Sequence, residues 1–255
     1  MFRPRIIPVL LIKDKGLVKS VKFKNHHYIG DPINAAKIYS NLRADELIIL
    51  DIEASNQKRL IDINLIKELG EETNMPLSVG GGIKTLDDIR LLLESGAEKV
   101  IINTHAIENP NFIREASKTF GSSTICVCID VKKNIFSKEN VFINNGEKST
   151  PLNPLKAAIL MEKNGAGEII IQSINHDGTM NGYDLKLIKE ISKNVSIPVV
   201  ALGGASSLEN ISDTYKNTKV SGLAAASIFV YRDIQKGVLI NYPNREKKMN
   251  LFKKL

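Results

Sequence analysis

The sequence predicts an α/β protein, a (β/α)8 TIM barrel made of two similar halves. Two observations support this prediction: short apolar runs alternate with segments of helical periodicity along the 255 residues, and the second half of the chain repeats the first. Nearly continuous apolar strands are typical of a parallel sheet that helices cover. Eight strand and helix units in a chain of this length fit a closed barrel better than an open sheet.

Eight runs rich in Ile, Val and Leu are the predicted barrel strands. They lie at 6–12, 47–52, 77–79, 100–102, 124–129, 168–171, 199–202 and 220–225. Most are separated by ten to fifteen residues with helical spacing, as in Leu86, Ile89 and Leu92. Cys126 and Cys128 fall on one face of the fifth strand and are predicted to be buried thiols, with a metal or redox pair as the alternative.

Two long polar segments, 14–32 and 131–154, interrupt this pattern after the first and fifth strands. The loops that follow barrel strands line the reactive face, so both segments are predicted to cover a substrate. The alternative is a tolerated surface excursion. The tail from Asn244 is predicted to be a solvated helix or a frayed end.

The internal repeat is visible when the chain is shifted on itself by 122 residues. The superposed pairs are Glu46 with Glu168, Asp51 with Ser173, Gly81 with Gly203, and Gly82 with Gly204. A shift of 119 residues aligns the first strand with the fifth and places Leu11 opposite Asp130. We therefore expect one domain, 1–255, with half-barrels at about 1–122 and 123–255.

The repeated glycines predict two equivalent phosphate sites. Strands that end in glycine expose backbone N–H groups to an oxyanion, because no Cβ blocks the approach. About twenty residues after each glycine pair, an apolar run ends in small residues that add donors. The predicted phosphate-binding positions are Gly82, Asn103 and Thr104 in the first half, and Gly204, Ala226 and Ser227 in the second.

Carboxylates at predicted strand ends are the candidates for chemistry. Asp130 ends the fifth strand and is predicted to be a general base if burial raises its pKa, with a capped or salt-bridged Asp as the alternative. Asp51 is predicted to bind substrate hydroxyls. Asp177 and Gly178 lie in a turn after the sixth strand that suits a polyol phosphate, and His176 is a weaker candidate base.

Composition argues against several classes of function. The net charge is +7, but the lysines are scattered, aromatic residues make up 5% and Trp is absent, which argues against nucleic acid. Attraction of anionic metabolites, or solubility, explains the charge better. No apolar run is long enough to span a membrane and no signal peptide is recognisable, so we expect a cytoplasmic protein. No motif requires a metal or an organic cofactor.

Several motifs occur in register with one family. They are Arg5-Ile6-Ile7, Asp45-Glu46-Leu47, 79–83, Ile102-Asn103-Thr104, Asp177-Gly178-Thr179 and Ser227-Ile228-Phe229. On these residues the chain resembles HisF, the cyclase subunit of imidazole glycerol phosphate synthase, over its whole length. The resemblance implies a duplicated barrel and an extended aminoimidazole ribonucleotide substrate with two phosphates. It also places Lys19 among the residues that bind phosphate or substrate.

The chain departs from the HisF pattern at three positions. The family uses an aspartate at the end of each of strands one and five; Asp130 matches the second, but Leu11 stands at the first. Loss of a positioned acid or base costs about 10²- to 10⁴-fold in rate, which argues against full cyclase activity. Gln172 also stands where the family has Thr, and Asn175 where an Asp is usual.

The resemblance further implies a partner and an ammonia route. In HisF, ammonia from a HisH-type glutaminase enters through a ring of charges, which Arg5, Glu46, Lys99 and Glu168 match here. The alternative is a ring that only closes the barrel floor. The segments 3–8 and 21–25 are most similar to the HisF-like WbuZ group, which is associated with a glutaminase and a sugar amidotransferase in surface-polysaccharide biosynthesis.

These expectations define three hypotheses. The first is a HisF-like subunit that passes ammonia from a glutaminase, as a heterodimer, to an acceptor in sugar amidation. The second is an authentic imidazole glycerol phosphate synthase cyclase of histidine biosynthesis. The third is a noncatalytic scaffold that activates the glutaminase.

Overall fold

The strands and helices follow the predicted alternation. The structure is a computed structural model that describes residues 3–134, 138–231 and 237–253. Its strands are β1 (Arg5–Lys13), β2 (Gly16–Val21), β3 (Lys24–Gly30), β4 (Leu47–Asp51), β5 (Leu77–Gly80), β6 (Lys99–Ile102), β7 (Ile125–Lys133), β8 (Glu139–Ile143), β9 (Lys148–Ser149), β10 (Glu168–Ser173), β11 (Val199–Leu202) and β12 (Gly222–Ala225). Its α-helices are α1 (Pro32–Asn41), α2 (Ile63–Glu72), α3 (Leu86–Glu94), α4 (Thr104–Glu108), α5 (Pro110–Phe120), α6 (Pro154–Lys163), α7 (Leu185–Ser192), α8 (Leu208–Thr218) and α9 (Arg245–Phe252).

Eight parallel strands close into a barrel. Around the barrel their order is β1, β4, β5, β6, β7, β10, β11 and β12, and β12 pairs with β1 to complete the circle. Each barrel strand coincides, to within a few residues, with one of the eight predicted apolar runs. The (β/α)8 barrel prediction is therefore confirmed.

The strands bury both faces, which explains their continuous apolar sequence. Outward residues pack against the helices in one large core, for example Ile6, Leu47 and Ile169. Inward residues form a second cluster that fills the barrel, and this cluster includes Cys126 and Cys128. The prediction that both thiols are buried is confirmed, and burial raises the pKa of each well above its usual value.

The two polar segments are not plain loops, as the sequence suggested, but β-hairpins. After β1 the chain turns back as β2, which pairs antiparallel with β1, and β3 extends the hairpin. After β7 the strands β8 and β9 do the same. Buried apolar residues such as Leu17 and Val141 hold the hairpins against the barrel, a feature that their polar composition hid. Because β8 pairs with it, β7 continues to Lys133, and Asp130 does not end the strand as predicted.

Both hairpins lead into helices that begin in the same way. Asp31 caps α1 and Asn153 caps α6, and each is followed by a proline at the first helical position, where no N–H is needed. The segments that follow β1 and β7 therefore share their irregular features, as the sequence repeat leads us to expect.

The C-terminal segment forms the helix α9, most of whose residues are exposed, as one of the two alternatives for the tail predicted, but one side of the helix packs on the barrel. Lys248 and Phe252 are buried, and Lys248 Nζ lies 2.8 Å from Asp45 Oδ1. The last two residues, Lys254 and Leu255, lie outside the described residues. In the described parts of the chain, each helix is too short or too polar to cross a bilayer.

Candidate functional site

A deep cleft opens at the carboxyl ends of the barrel strands. Its volume is about 1020 Å³, and residues from most of the barrel strands and both hairpins line it. Every second side chain of a barrel strand points into the barrel, and these side chains form layers. The layer nearest the carboxyl ends of the strands forms the floor of the cleft. The inward side chains at this level are Leu11, Leu50, Asn103, Asp130, Gln172, Leu202 and Ala226.

Asp130 is the buried carboxyl in this layer. Its side chain is 7% exposed, and Cys128 Sγ lies 3.5 Å from Oδ1. Burial raises the pKa of Asp130 to about 7, and the nearby charge of Asp177 adds to that effect, whereas hydrogen bonds from Cys128 and Asn103 oppose it. Near neutral pH such a group is present in both protonation states, so it can donate or accept a proton.

Leu11 faces the same cleft from β1. It pairs with Leu50 on β4, so this part of the wall is apolar. The cleft has no carboxyl at the position that corresponds to Asp130 in the first half. The repeat aligned Leu11 with Asp130. In the structure these two residues lie on opposite walls of one cleft, so one wall carries a carboxyl and the other does not.

Asp177 is a second buried carboxyl at the cleft. Ser20 Oγ and Gln172 Nε2 donate to it over 3.2 and 3.1 Å, and the Phe23 backbone N–H also donates. Burial raises the pKa of Asp177, although these donors oppose the shift. The Lys22 N–H donates to the Asp177 carbonyl over 2.9 Å, so the first hairpin is fixed to the turn that carries Asp177 and Gly178.

The first predicted phosphate site lies in the wall of the main cleft. Gly81 and Gly82 have φ angles of +141° and +74°, and a Cβ on Gly82 would lie 1.8 Å from the Arg59 carbonyl oxygen. Only glycine fits there. Asn103 Nδ2 donates to the Cys128 carbonyl over 2.9 Å, and Thr104 Oγ1 accepts from the Asn144 N–H of the second hairpin over 3.0 Å.

The second predicted phosphate site forms a smaller recess of about 270 Å³. Gly178, Gly203, Gly204, Ala226 and Ser227 line it, and it shares Asp177 and Ala226 with the main cleft. The strands β11 and β12 that form it lie across the barrel from β5 and β6, which form the first site. The structure therefore brings both glycine pairs to one mouth, on opposite walls.

Two predicted binding residues are engaged within the protein. Asp51 lines the cleft, but its carboxylate lies 2.5 Å from Arg59 Nη1 and accepts the N–H groups of Glu53 and Ala54. Lys19 is buried, and its Nζ donates to the Val9 carbonyl over 2.9 Å. Burial lowers the pKa of Lys19 to about 7, and Asp177 partly opposes the shift. Their binding roles stay predictions.

The four predicted charged residues lie together at the opposite end of the barrel. Arg5 donates to both Glu46 and Glu168, and Lys99 Nζ lies 2.8 Å from Glu168 and 3.6 Å from Glu46. Ser78 Oγ adds a 2.6 Å hydrogen bond to Glu46. Burial lowers the pKa of Arg5, but hydrogen bonds and charges from the two glutamates outweigh it and raise the pKa. We call these four residues the charged ring.

Sequence reasoning assigned no role to Gln172, although the structure places it beside Asp130. The signal was present, because inward positions on β10 alternate from Glu168 and reach residue 172. His26 and Asn145, from the two hairpins, also line the cleft and could not be found while the hairpins were taken as loops. In the described residues, no group of three or more His, Cys, Asp or Glu side chains is placed to hold a metal ion.

Comparison with known proteins identifies the family of the chain. The model of the family described as "Histidine biosynthesis protein" matches residues 5–235. A Leptospira interrogans protein named "Putative imidazole glycerol phosphate synthase subunit HisF" is 46% identical over 256 residues, which cover 99% of this chain and 100% of the relative. A Hydrogenobaculum protein named "Imidazole glycerol phosphate synthase subunit HisF" is 46% identical over 234 residues, 92% of this chain and 93% of the relative.

A third relative, from Pseudomonas aeruginosa, carries a numbered form of the name, "Putative imidazole glycerol phosphate synthase subunit hisF2". It is 43% identical over 247 residues, which cover 97% of this chain and 98% of the relative. The resemblance to HisF that the motifs indicated is confirmed by these matches. The resemblance to the WbuZ group stays a prediction.

Proposed function

Because the chain belongs to the histidine biosynthesis protein family, among its HisF members, we propose that it is the synthase subunit of an imidazole glycerol phosphate synthase. In this proposal it binds a phosphorylated substrate at the cleft and uses ammonia that a HisH-type glutaminase supplies at the charged ring. The observation that carries the proposal is the pairing, in one barrel, of a charged ring at one end with Asp130 between two glycine sites at the other.

The shape of the mouth supports a ligand with two phosphates. Backbone N–H groups at the glycine turns bind oxyanions without the cost of desolvating a charged side chain. Two such sites on opposite walls favour an elongated ligand with a phosphate at each end. The middle of the ligand then lies over Asp130, where a proton can be given or taken.

The interior of the barrel supports transfer of ammonia in its neutral form. Above the charged ring the inward side chains are apolar, including Ile7, Ile48 and Ile170. Transfer of a charged ammonium ion from water into this apolar interior is strongly unfavourable, whereas transfer of neutral ammonia is much less so. The ring therefore acts as the place where ammonium is held back and ammonia enters. The reaction takes place in the cytoplasm in this account.

A second candidate function is favoured by Leu11. An apolar wall opposite Asp130 removes one acid or base from the cleft, so the ammonia would serve another acceptor. In this version a sugar amidotransferase docks at the mouth and amidates a sugar for surface polysaccharide. The barrel then acts as a conduit.

Complementation separates the two candidates. The chain and its glutaminase partner are expressed in a histidine-requiring strain that lacks HisF, and imidazole glycerol phosphate formation is measured with the purified pair. Under the first candidate the strain grows, and Leu11→Asp raises the turnover by about 10²- to 10⁴-fold, because it restores a proton-transferring group. Leu11→Asn is the matched control, since it is polar but cannot transfer a proton.

The other outcomes are equally informative. If neither the original chain nor Leu11→Asp forms product, but glutamine hydrolysis by the partner is still stimulated, the cyclase proposal is wrong and a conduit or a scaffold remains. If glutamine hydrolysis is not stimulated at all, both candidates fail.

A further inference from the structure

Gln172 occupies a central place in the cleft that its residue type does not explain. It lies on the inward face of β10, directly opposite Asp130 of β7 in the strand register. Its side chain is 5% exposed and lines the main cleft. The other inward residues near the end of the neighbouring strand β11 are apolar, such as Leu202, so a polar amide here needs a reason.

The orientation of the Gln172 amide is fixed by its neighbour. Its Nε2 donates to Asp177 Oδ1 over 3.1 Å, and Asp177 also accepts from Ser20 Oγ and the Phe23 N–H. A carboxylate with three donors acts as an acceptor, so the amide nitrogen, and not its oxygen, must face Asp177. The amide oxygen therefore points away from Asp177.

That oxygen is left without a partner. Gln172 Oε1 is buried and makes no hydrogen bond with any residue that the structure describes. A buried acceptor of this kind costs about 1 to 3 kcal/mol when it stays unsatisfied, and most buried polar atoms in native proteins are paired. The cleft beside it is where a ligand enters, so a ligand is the natural source of the missing donor.

We infer that Gln172 is a specificity-determining residue, whose amide oxygen accepts a hydrogen bond from a ring N–H group in the central part of the phosphorylated ligand beside Asp130. This inference rests on the proposed function, because it places the ligand between the two glycine sites. A nitrogen heterocycle with a ring N–H has the required chemistry. A ligand with the same phosphate but no ring N–H leaves the oxygen unpaired and binds without this contact.

Binding of two probes tests the inference. Calorimetry measures the affinity of the chain for imidazole glycerol phosphate, which has a ring N–H, and for glycerol 3-phosphate, which keeps a phosphate but lacks the ring. Gln172→Met has nearly the same length and no acceptor. We expect it to weaken binding of imidazole glycerol phosphate by about 5- to 150-fold, the range that corresponds to the cost of an unmade hydrogen bond, and to leave glycerol 3-phosphate within about threefold.

Ser20→Ala is the matched control. Gln172→Met also removes a donor to Asp177, and Ser20→Ala removes a different donor to the same carboxylate while it keeps Gln172 Oε1. We expect Ser20→Ala to change the affinities for the two probes by the same factor. Thermal unfolding, together with retained glycerol 3-phosphate binding, shows whether Gln172→Met is folded.

The outcomes distinguish this inference from the proposed function. If the original chain binds imidazole glycerol phosphate and Gln172→Met binds it equally well, or loses both probes in proportion, the inference is wrong and the proposed function stands. If the original chain binds neither probe, the inference and the proposed function are both overturned.

Discussion

At the scale of single residues, Asp130 shows how the barrel wall changes the chemistry of a side chain. Its neighbours offer weak or neutral donors, Cys128 and Asn103, and no cation neutralises it directly. Burial therefore dominates and favours the neutral acid. A carboxyl group whose pKa is raised to about 7 suits proton transfer near neutral pH, and the same shift has a consequence for stability.

The pH dependence of stability tests the burial of Asp130. Its pKa is about 7 in the folded protein and 3.8 in the reference state, so the folded state binds more protons between these values. Stability is therefore greatest below the lower value and is lost as the pH rises towards 7. Relative to Asp130→Asn, the free energy of unfolding of the original chain should fall by a few kcal/mol over this range, at about 1.4 kcal/mol per pKa unit.

Urea unfolding at several pH values between 4 and 8 measures this difference. Asp213→Asn, at an exposed position on α8, controls for the simple loss of a negative charge. A difference between the original chain and Asp130→Asn that does not change with pH would show that Asp130 is not buried as described.

At the scale of elements, the turns after the barrel strands shape the mouth. The glycine turns hold their backbone in conformations that other residues rarely adopt, and at Gly82 there is also no room for a Cβ. The two hairpins then cover the mouth: the first is bonded to the turn of Asp177, and the second reaches Thr104. Local backbone geometry and tertiary contacts therefore build the site together.

Two glycine substitutions separate conformational strain from close contact. Gly82→Ala would place a Cβ 1.8 Å from the Arg59 carbonyl oxygen at a φ of +74°, whereas Gly121→Ala has a φ of +87° and nothing within 4 Å. We expect Gly121→Ala to lower the free energy of unfolding by about 1 to 3 kcal/mol through backbone strain, because its φ of 87° and ψ of 142° are a combination that residues other than glycine rarely adopt. Gly82→Ala should cost clearly more and should also weaken phosphate binding.

Chemical denaturation and phosphate titration check this pair. Equal losses of stability for the two variants would mean that the turn at Gly82 moves freely and that the first phosphate site is not rigid. Retained phosphate affinity in Gly82→Ala would remove that turn from the binding site.

At the scale of the whole molecule, the repeated pattern made most of the architecture predictable. Strands buried on both faces are continuous apolar runs, and duplication marked Gly82 with Gly204 and Glu46 with Glu168 as equivalent positions. The hairpins could not be predicted, because they contain few apolar residues, such as Leu17 and Val141. In addition, β2 and β8 pair with β1 and β7, which were already predicted as barrel strands. The contacts that occupy Asp51 and Lys19 also depend on tertiary structure, which spacing along the chain does not reveal.

The central claim is that ammonia from glutamine crosses the barrel from the charged ring to the cleft. The direct measurement supplies the complex with glutamine labelled with nitrogen-15 at the amide, in an excess of unlabelled ammonium, and determines the label in imidazole glycerol phosphate. Lys99→Met alters the charged ring and leaves Arg5 with both glutamates, while Arg90→Met on the exposed face of α3 is the matched control. Activity with ammonium alone shows whether the cleft of each variant is intact.

We predict that the original chain and Arg90→Met give product that carries the glutamine label, and that Lys99→Met gives product diluted towards the unlabelled pool. If the complex with the original chain forms product that carries only unlabelled nitrogen, the account is contradicted.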